Sequence, residues 1–123
     1  METKDFSEIF ARIKKLLLPC SKKMEVRANT EGNFQLYIIR DFEMAGRKFS
    51  ECYFSGVSIH STTVSFHFFP IYTHPKEFII PPAIKKQLKG KSCFNFTQLN
   101  KEQEKAIAQL LKEGLACYTN LFG

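Results

Sequence analysis

The 123-residue chain predicts an α+β fold: a two-layer sandwich in which an antiparallel sheet of about five strands carries an N-terminal and a C-terminal helix on one face. The prediction rests on the patterning of apolar residues. They recur at three-and-four spacing at both ends of the chain and alternate with polar residues through the middle, in runs separated by short turn-forming segments. Sequential strands joined by short turns pair antiparallel, and two amphipathic helices need an apolar sheet face to cover.

At the N-terminus, Phe6, Ile9, Phe10, Ile13, Leu16 and Leu17 mark one helical face, Asp5 with Glu8 reads as a capping box, and Pro19 is expected to end the helix. From Lys23 the period becomes two: Met24, Val26 and Ala28 alternate with Glu25, Arg27 and Asn29, and Thr30 to Asn33 turns the chain into a strand from Phe34 to Arg40. Glu43 to Lys48 separates this hairpin from a strand over Ser50 to Ile59, and His60 to Thr63 leads into Val64 to Phe69, where Pro70 removes the next ladder donor. The prolines of IYTHPKEFIIPP predict a loop, Pro82 to Leu88 a short helix with Gly90 as its left-handed stop, and Ser92 to Thr97 a fifth strand. Asn100 and Gln103 form a second capping box, and Ile107, Leu110, Leu111, Gly114, Tyr118 and Leu121 line the last helix. Gly114 on that face predicts close approach of backbone and sheet.

Residues 1–123 read as one domain, long enough to bury roughly two thirds of the surface the unfolded chain exposes. Thirteen Phe and no Trp predict a core made largely of rings. No apolar run approaches the length of a membrane span and the N-terminus has no signal-like pattern, so the expectation is a cytoplasmic protein with no membrane partner. Cys20, Cys52, Cys93 and Cys117 form no Cys-x-x-Cys pair and read as free, mostly buried thiols. The net charge of +6 is uneven: +3 over residues 1–23, −1 over 24–80 and +4 over 81–123. The basic surplus therefore sits in the terminal segments.

LKGKSCFNFTQLN (Leu88 to Asn100) contains a Gly-Lys-Ser, but a phosphate loop needs an earlier glycine where Lys85 stands, and it must leave a strand and open a helix. Here the order is inverted, which predicts a turn into a core strand. The same residues carry a resemblance. FSGVSIHSTTVSFHFFPIY (Phe54 to Tyr72), a lysine-bearing short helix and LKGKSCFNF (Leu88 to Phe96) resemble the YdhG-like family, also called domain of unknown function 1801, over most of the chain from about Phe42. The resemblance implies a frataxin-like sandwich and, for some members, a proposed role in handling iron. The acidic ridge of frataxin-type iron binding is not matched, since Glu2, Asp5 and Glu8 are interleaved with Lys4, Arg12, Lys14 and Lys15.

Among His60, His67 and His74 only His67 falls within a strand, so no metal site is spelled out, and no cofactor is implied. His67 and Cys93 would be neighbours if the last strand lies beside the fourth, yet nothing in the sequence orients them for catalysis. If Phe34, Leu36, Ile38, Val64, Phe66, Phe68, Phe94 and Phe96 face the helices, alternation turns Tyr37, Ile39, His67, Phe69, Cys93 and Asn95 to the uncovered face. The third strand is ambiguous, because Tyr53/Val57/Ile59 and Cys52/Phe54 are both apolar sets. Tyr37, His67, Phe69 and Asn95 are the candidate site. The expected function is a non-enzymatic binding or adaptor domain that takes a protein or small ligand on that face or on the Pro70 to Pro82 loop, as a monomer or homodimer. Iron handling is the alternative. A nucleic-acid accessory role using Lys85, Lys86, Lys89 and Lys91 is a weaker one, because these lysines lie away from the aromatic face.

Overall fold

Asp5 opens the first helix: its carboxylate accepts from the amides of Ser7 (2.9 Å) and Glu8 (3.4 Å), two of the donors that a helix start leaves unpaired. The computed structural model describes residues 4–44, 46–74, 76, 78–90 and 92–122. Helix α1 spans Phe6–Leu17 and passes directly into a 3-10 turn, Leu18–Lys23. Pro19 tightens the rotation where the sequence predicts a stop, because a proline in a first turn forfeits no hydrogen bond.

Strands β1 (Glu25–Thr30), β2 (Asn33–Met44), β3 (Arg47–Ile59) and β4 (Val64–Phe68) follow, then short helices α2 (Phe69–Thr73) and α3 (Pro82–Lys85), strands β5 (Leu88–Lys89) and β6 (Cys93–Phe96), and helix α4 (Lys101–Phe122). The sheet order is β1-β2-β3-β4-β6-β5 and every neighbouring pair is antiparallel. The α+β class and the antiparallel sheet flanked by terminal helices are as predicted.

Four local readings are corrected. The sheet has six strands, since Leu88 and Lys89 leave the helical pattern and pair with Phe94 and Cys93. Gly90 is left-handed (φ 71°) as expected, but it turns β5 into β6 and does not cap α3, which has already ended at Lys85. The predicted loop after β4 opens with α2, whose first turn accommodates Pro70. The β2–β3 hairpin also extends further than predicted, to the pair Met44↔Arg47 with Gly46 (φ 77°) at the turn.

Three register shifts break simple alternation, one between β1 and β2 and two between β2 and β3, at Leu36/Tyr37 and at Ile39/Phe42. In β1, Val26 pairs with Leu36 but Ala28 pairs with Gln35, so Arg27 is an extra residue and Met24, Val26 and Ala28 do not share a face. In β3, Ser55 pairs with Leu36 and Tyr53 with Tyr37, which leaves Phe54 extra. This bulge resolves the ambiguity of the third strand: Cys52 and Phe54 before it and Val57 after it are all buried on the helix side, whereas Tyr53 turns to the other face. Ser55, also buried, donates its hydroxyl to the carbonyl of His67 (2.5 Å).

Ile9, Ile13 and Leu17 from α1, Ile107 and Leu110 from α4, and Phe34, Leu36, Phe66, Phe68, Phe94 and Phe96 from the strands form one buried core. Both long helices therefore cover the same sheet face. Phe66 packs 5.9 Å from Phe94, and Phe54 lies 6.1 Å from Phe68 and 5.9 Å from Tyr118. At the start of α4 the capping box is reciprocal: Gln103 N donates to Asn100 Oδ1 (2.8 Å) and Asn100 N to Gln103 Oε1 (3.0 Å). The side chain of Leu121, predicted to line this helix, lies outside the described residues. At Gly114 an added Cβ would overlap the buried ring of Phe68 and come within 3.2 Å of Pro70, so glycine sets how closely α4 meets the sheet.

Gly90→Ala should lower the unfolding free energy by about 1 kcal/mol or more, read by denaturant melts, because alanine is strained at this φ. Gly114→Ala tests the packing. A helix-interior substitution of this kind ordinarily gains about 1 kcal/mol in propensity, whereas here overpacking against Phe68 should reverse the sign and cost roughly 1–3 kcal/mol.

Candidate binding face

The face away from the helices is built from rows of side chains set by the strand register. One row runs Asn33, Ser58, Ser65, Asn95; the next Gln35, Gly56, His67, Cys93; the third pairs Tyr37 with Tyr53. The four residues singled out from the sequence, Tyr37, His67, Phe69 and Asn95, all lie half-buried on or at the margin of this face. Phe69 reaches it by a different route from the one alternation suggests. It starts α2 and does not end β4, yet its ring stands 5.9 Å from Tyr53 and 5.4 Å from Tyr72. The side chain of Ile39, also expected here, lies outside the described residues, as does Lys91.

An aromatic half and a polar half can be distinguished. Tyr37 and Tyr53 are 5.2 Å apart, Phe69 and Tyr72 continue the run, and the Arg27 guanidinium lies 4.9 Å from the Tyr37 ring centre while pairing with Glu25 (2.8 Å) and Glu51 (2.7 Å). In the polar half, Ser65 donates to Asn95 Oδ1 (2.8 Å), which also accepts from the Cys93 thiol (3.3 Å). The halves meet at Gln35, whose amide oxygen accepts from Tyr53 (2.5 Å) and whose nitrogen donates to Asn33 (2.6 Å). Gly56 makes room for this amide: a Cβ there would collide with Gln35 Oε1 and approach the Phe34 carbonyl to 2.7 Å.

Tyr53 and Gln35 are functional candidates that the sequence reading missed. Tyr53 is hidden by the bulge, which is not encoded in alternation. A signal did exist for Gln35 and its setting, since it shares parity with Tyr37 and a glycine inside a strand marks a bulge or a close approach.

Burial pushes the Tyr53 hydroxyl well above its ordinary range, with smaller contributions from Tyr37 and Cys93, so it stays a neutral donor. His67 is pushed below 6.5 by burial and secondarily by His60, and the Cys93 thiol is raised by burial, an effect that the Ser65 hydroxyl offsets in part. His67 and Cys93 stand directly opposite each other in β4 and β6. Both shifts nevertheless run against a thiolate–imidazolium pair, which needs a low thiol and a charged ring.

His60 bonds to Ser58 (3.0 Å) in its turn, and His74 bonds to Thr73 (2.8 Å) and packs against Tyr118. Among the described residues, no three His, Cys, Asp or Glu side chains are grouped as a metal ion would require, and no helix is long and apolar enough to cross a membrane. All four cysteines are free; Cys20 and Cys52 are buried. No family model matches the chain, and no curated protein or solved structure is significantly similar to it.

Because the fold favours the neutral His67 ring, its contribution to stability is fully present above its unfolded value near 6.5 and is lost as the pH falls below that value. Between about pH 7 and 5.5, the melting temperature of the wild-type chain should therefore drop more than that of His67→Gln. Parallel profiles would show that His67 does not titrate differently in the fold.

Proposed function

We propose that this chain is a non-enzymatic binding module whose open sheet face docks a partner protein presenting a flat, uncharged surface. One observation carries the reading: with both long helices on the opposite side, Tyr37, Tyr53 and Phe69 are left beside the neutral groups of Gln35, Ser65, His67 and Asn95. Aromatic rings beside uncharged polar groups, with the charges of Arg27, Glu25 and Glu51 paired with one another at the β1 side, are the composition of an interface core. A protein is favoured over a small molecule, which needs a concave site, because the Gln35 amide fills the space above Gly56. Nucleic acid is disfavoured because phosphate contacts need available lysine and arginine, and Arg27, beside Tyr37, is already paired with Glu25 and Glu51.

The likeness of Phe54 to Phe96 to the YdhG-like family supports grouping the chain with frataxin-like sandwiches. Iron handling has less behind it, because hard cations want clustered carboxylates. A cytoplasmic partner suits the four free thiols, which a reducing compartment would preserve.

Replacing Tyr37 and His67 together with alanine removes contact area at half-buried positions outside the core. Partner capture by the immobilised chain should be lost in this double variant, which should still melt cooperatively at a cost of about 1–2 kcal/mol for the Tyr37 contacts with Tyr53 and Arg27. Retained capture would place the binding surface elsewhere and overturn the reading. If native mass instead shows a dimer that the double variant dissolves, the face is a seam between copies of this chain.

A further inference from the structure

A second surface, on the helix layer, has a different chemistry. Between α1 and α4 lies a groove of about 850 Å³. Leu16, Pro19 and Cys20 from the α1 side and Ala108, Leu111 and Leu115 from α4 make its apolar lining, and Arg12, Lys15, Lys101, Lys112 and Glu104 supply the charge. Arg12 is occupied by Glu8 (3.0 Å) and Glu104 (3.4 Å). Lys15, Lys101 and Lys112 are exposed and make no ion pair among the described residues. The lining is thus apolar at its base and positive along its edges.

We propose that this groove docks an acidic amphipathic helix of a partner protein, with leucine-like side chains on the apolar base and carboxylates against the three lysines. Charge complementarity selects the occupant. Lys101 and Lys112 are roughly three turns apart on α4, about 16 Å along its axis, a span that a partner helix of similar length matches with carboxylates on successive turns. The partly buried Leu16 and Leu115 leave apolar surface for side chains of such a helix. An acyl chain needs an enclosed cavity, whereas exposed lysines on both helices keep this groove open. Nucleic acid would use the charges but leave the apolar base without a partner. The inference is independent of the open sheet face, because it concerns the other layer of the molecule.

The test uses a labelled synthetic helix of about 18 residues with a leucine stripe flanked by glutamates, long enough to be helical in isolation, titrated against the full chain by fluorescence anisotropy. The same composition scrambled to abolish the stripe, and a lysine-for-glutamate version, are the comparison peptides. Binding of the striped acidic peptide should exceed both, and Lys15→Glu with Lys112→Glu should weaken it about tenfold or more while strengthening the lysine peptide. Both lysines are exposed, so melting should not change; Ala108→Gln, which crowds the base without altering charge, should weaken the acidic peptide as well. Amide shifts should map to α1 and α4. Equal affinity for the scrambled peptide, indifference to charge reversal, or shifts confined to the open sheet face would each overturn the proposal. Displacement of the peptide by single-stranded DNA but not by excess unlabelled peptide would do so too, and would assign the lysines to nucleic acid.

Discussion

One extra residue in β3 governs the rest of the architecture. Because Phe54 opposes no residue of β2, Cys52 and Phe54 on one side of the bulge and Val57 on the other all face the helices, and Tyr53 is turned to the opposite surface. A strictly alternating β3 would place either Phe54 or Val57 on the uncovered face and leave its mate on the helix side poorly matched to Phe66 and Phe68. The bulge therefore concentrates the rings in one layer. It also delivers Tyr53 to the point where Tyr37, Phe69 and Gln35 converge.

The core that results is ring against ring. Phe34, Phe54, Phe66, Phe68, Phe94 and Phe96 are essentially without exposed surface, and full burial of such a side chain contributes roughly 1.5–3 kcal/mol. Against this the surface ion pairs count for little. Arg12 with Glu8 and Glu104, and Arg27 with Glu25 and Glu51, are each partly exposed, and pairs of this kind are worth about 0–1 kcal/mol. Hydrogen bonds at the helix ends do more to fix position. The Asn100–Gln103 box starts α4, and the Thr73–Tyr118 contact (2.7 Å) ties its later turns to α2.

Charge is uneven along the elements. The surplus lies in α1, where Arg12, Lys14 and Lys15 face one acid, Glu8, and in Lys85, Lys86, Lys89 and Lys91 around α3 and β5; α4 is balanced, with Lys101, Lys105 and Lys112 against Glu102, Glu104 and Glu113. The molecule presents two dissimilar surfaces, an aromatic and amide-bearing sheet face and a lysine-edged groove between helices.

Much of this was legible in the residues themselves. Three-and-four periodicity with Asp5 and with Asn100/Gln103 determined both long helices, alternation with turn residues located the first four strands but not the faces of β1 and β3, and parity alone placed Tyr37, His67 and Asn95 on the uncovered face. These features are local: a cap, a period and a turn act within a few residues of one another. The tertiary structure alone decided what depends on residues distant in sequence. The bulge at Phe54 is a matter of register between β3 and β2, which meet only in the folded sheet. The two-residue β5 forms because β6 offers an edge to Leu88 and Lys89, whose helical continuation has no such partner. The groove exists only once α1 and α4, nearly the whole chain apart, lie side by side and bring Lys15, Lys101 and Lys112 around a shared apolar base.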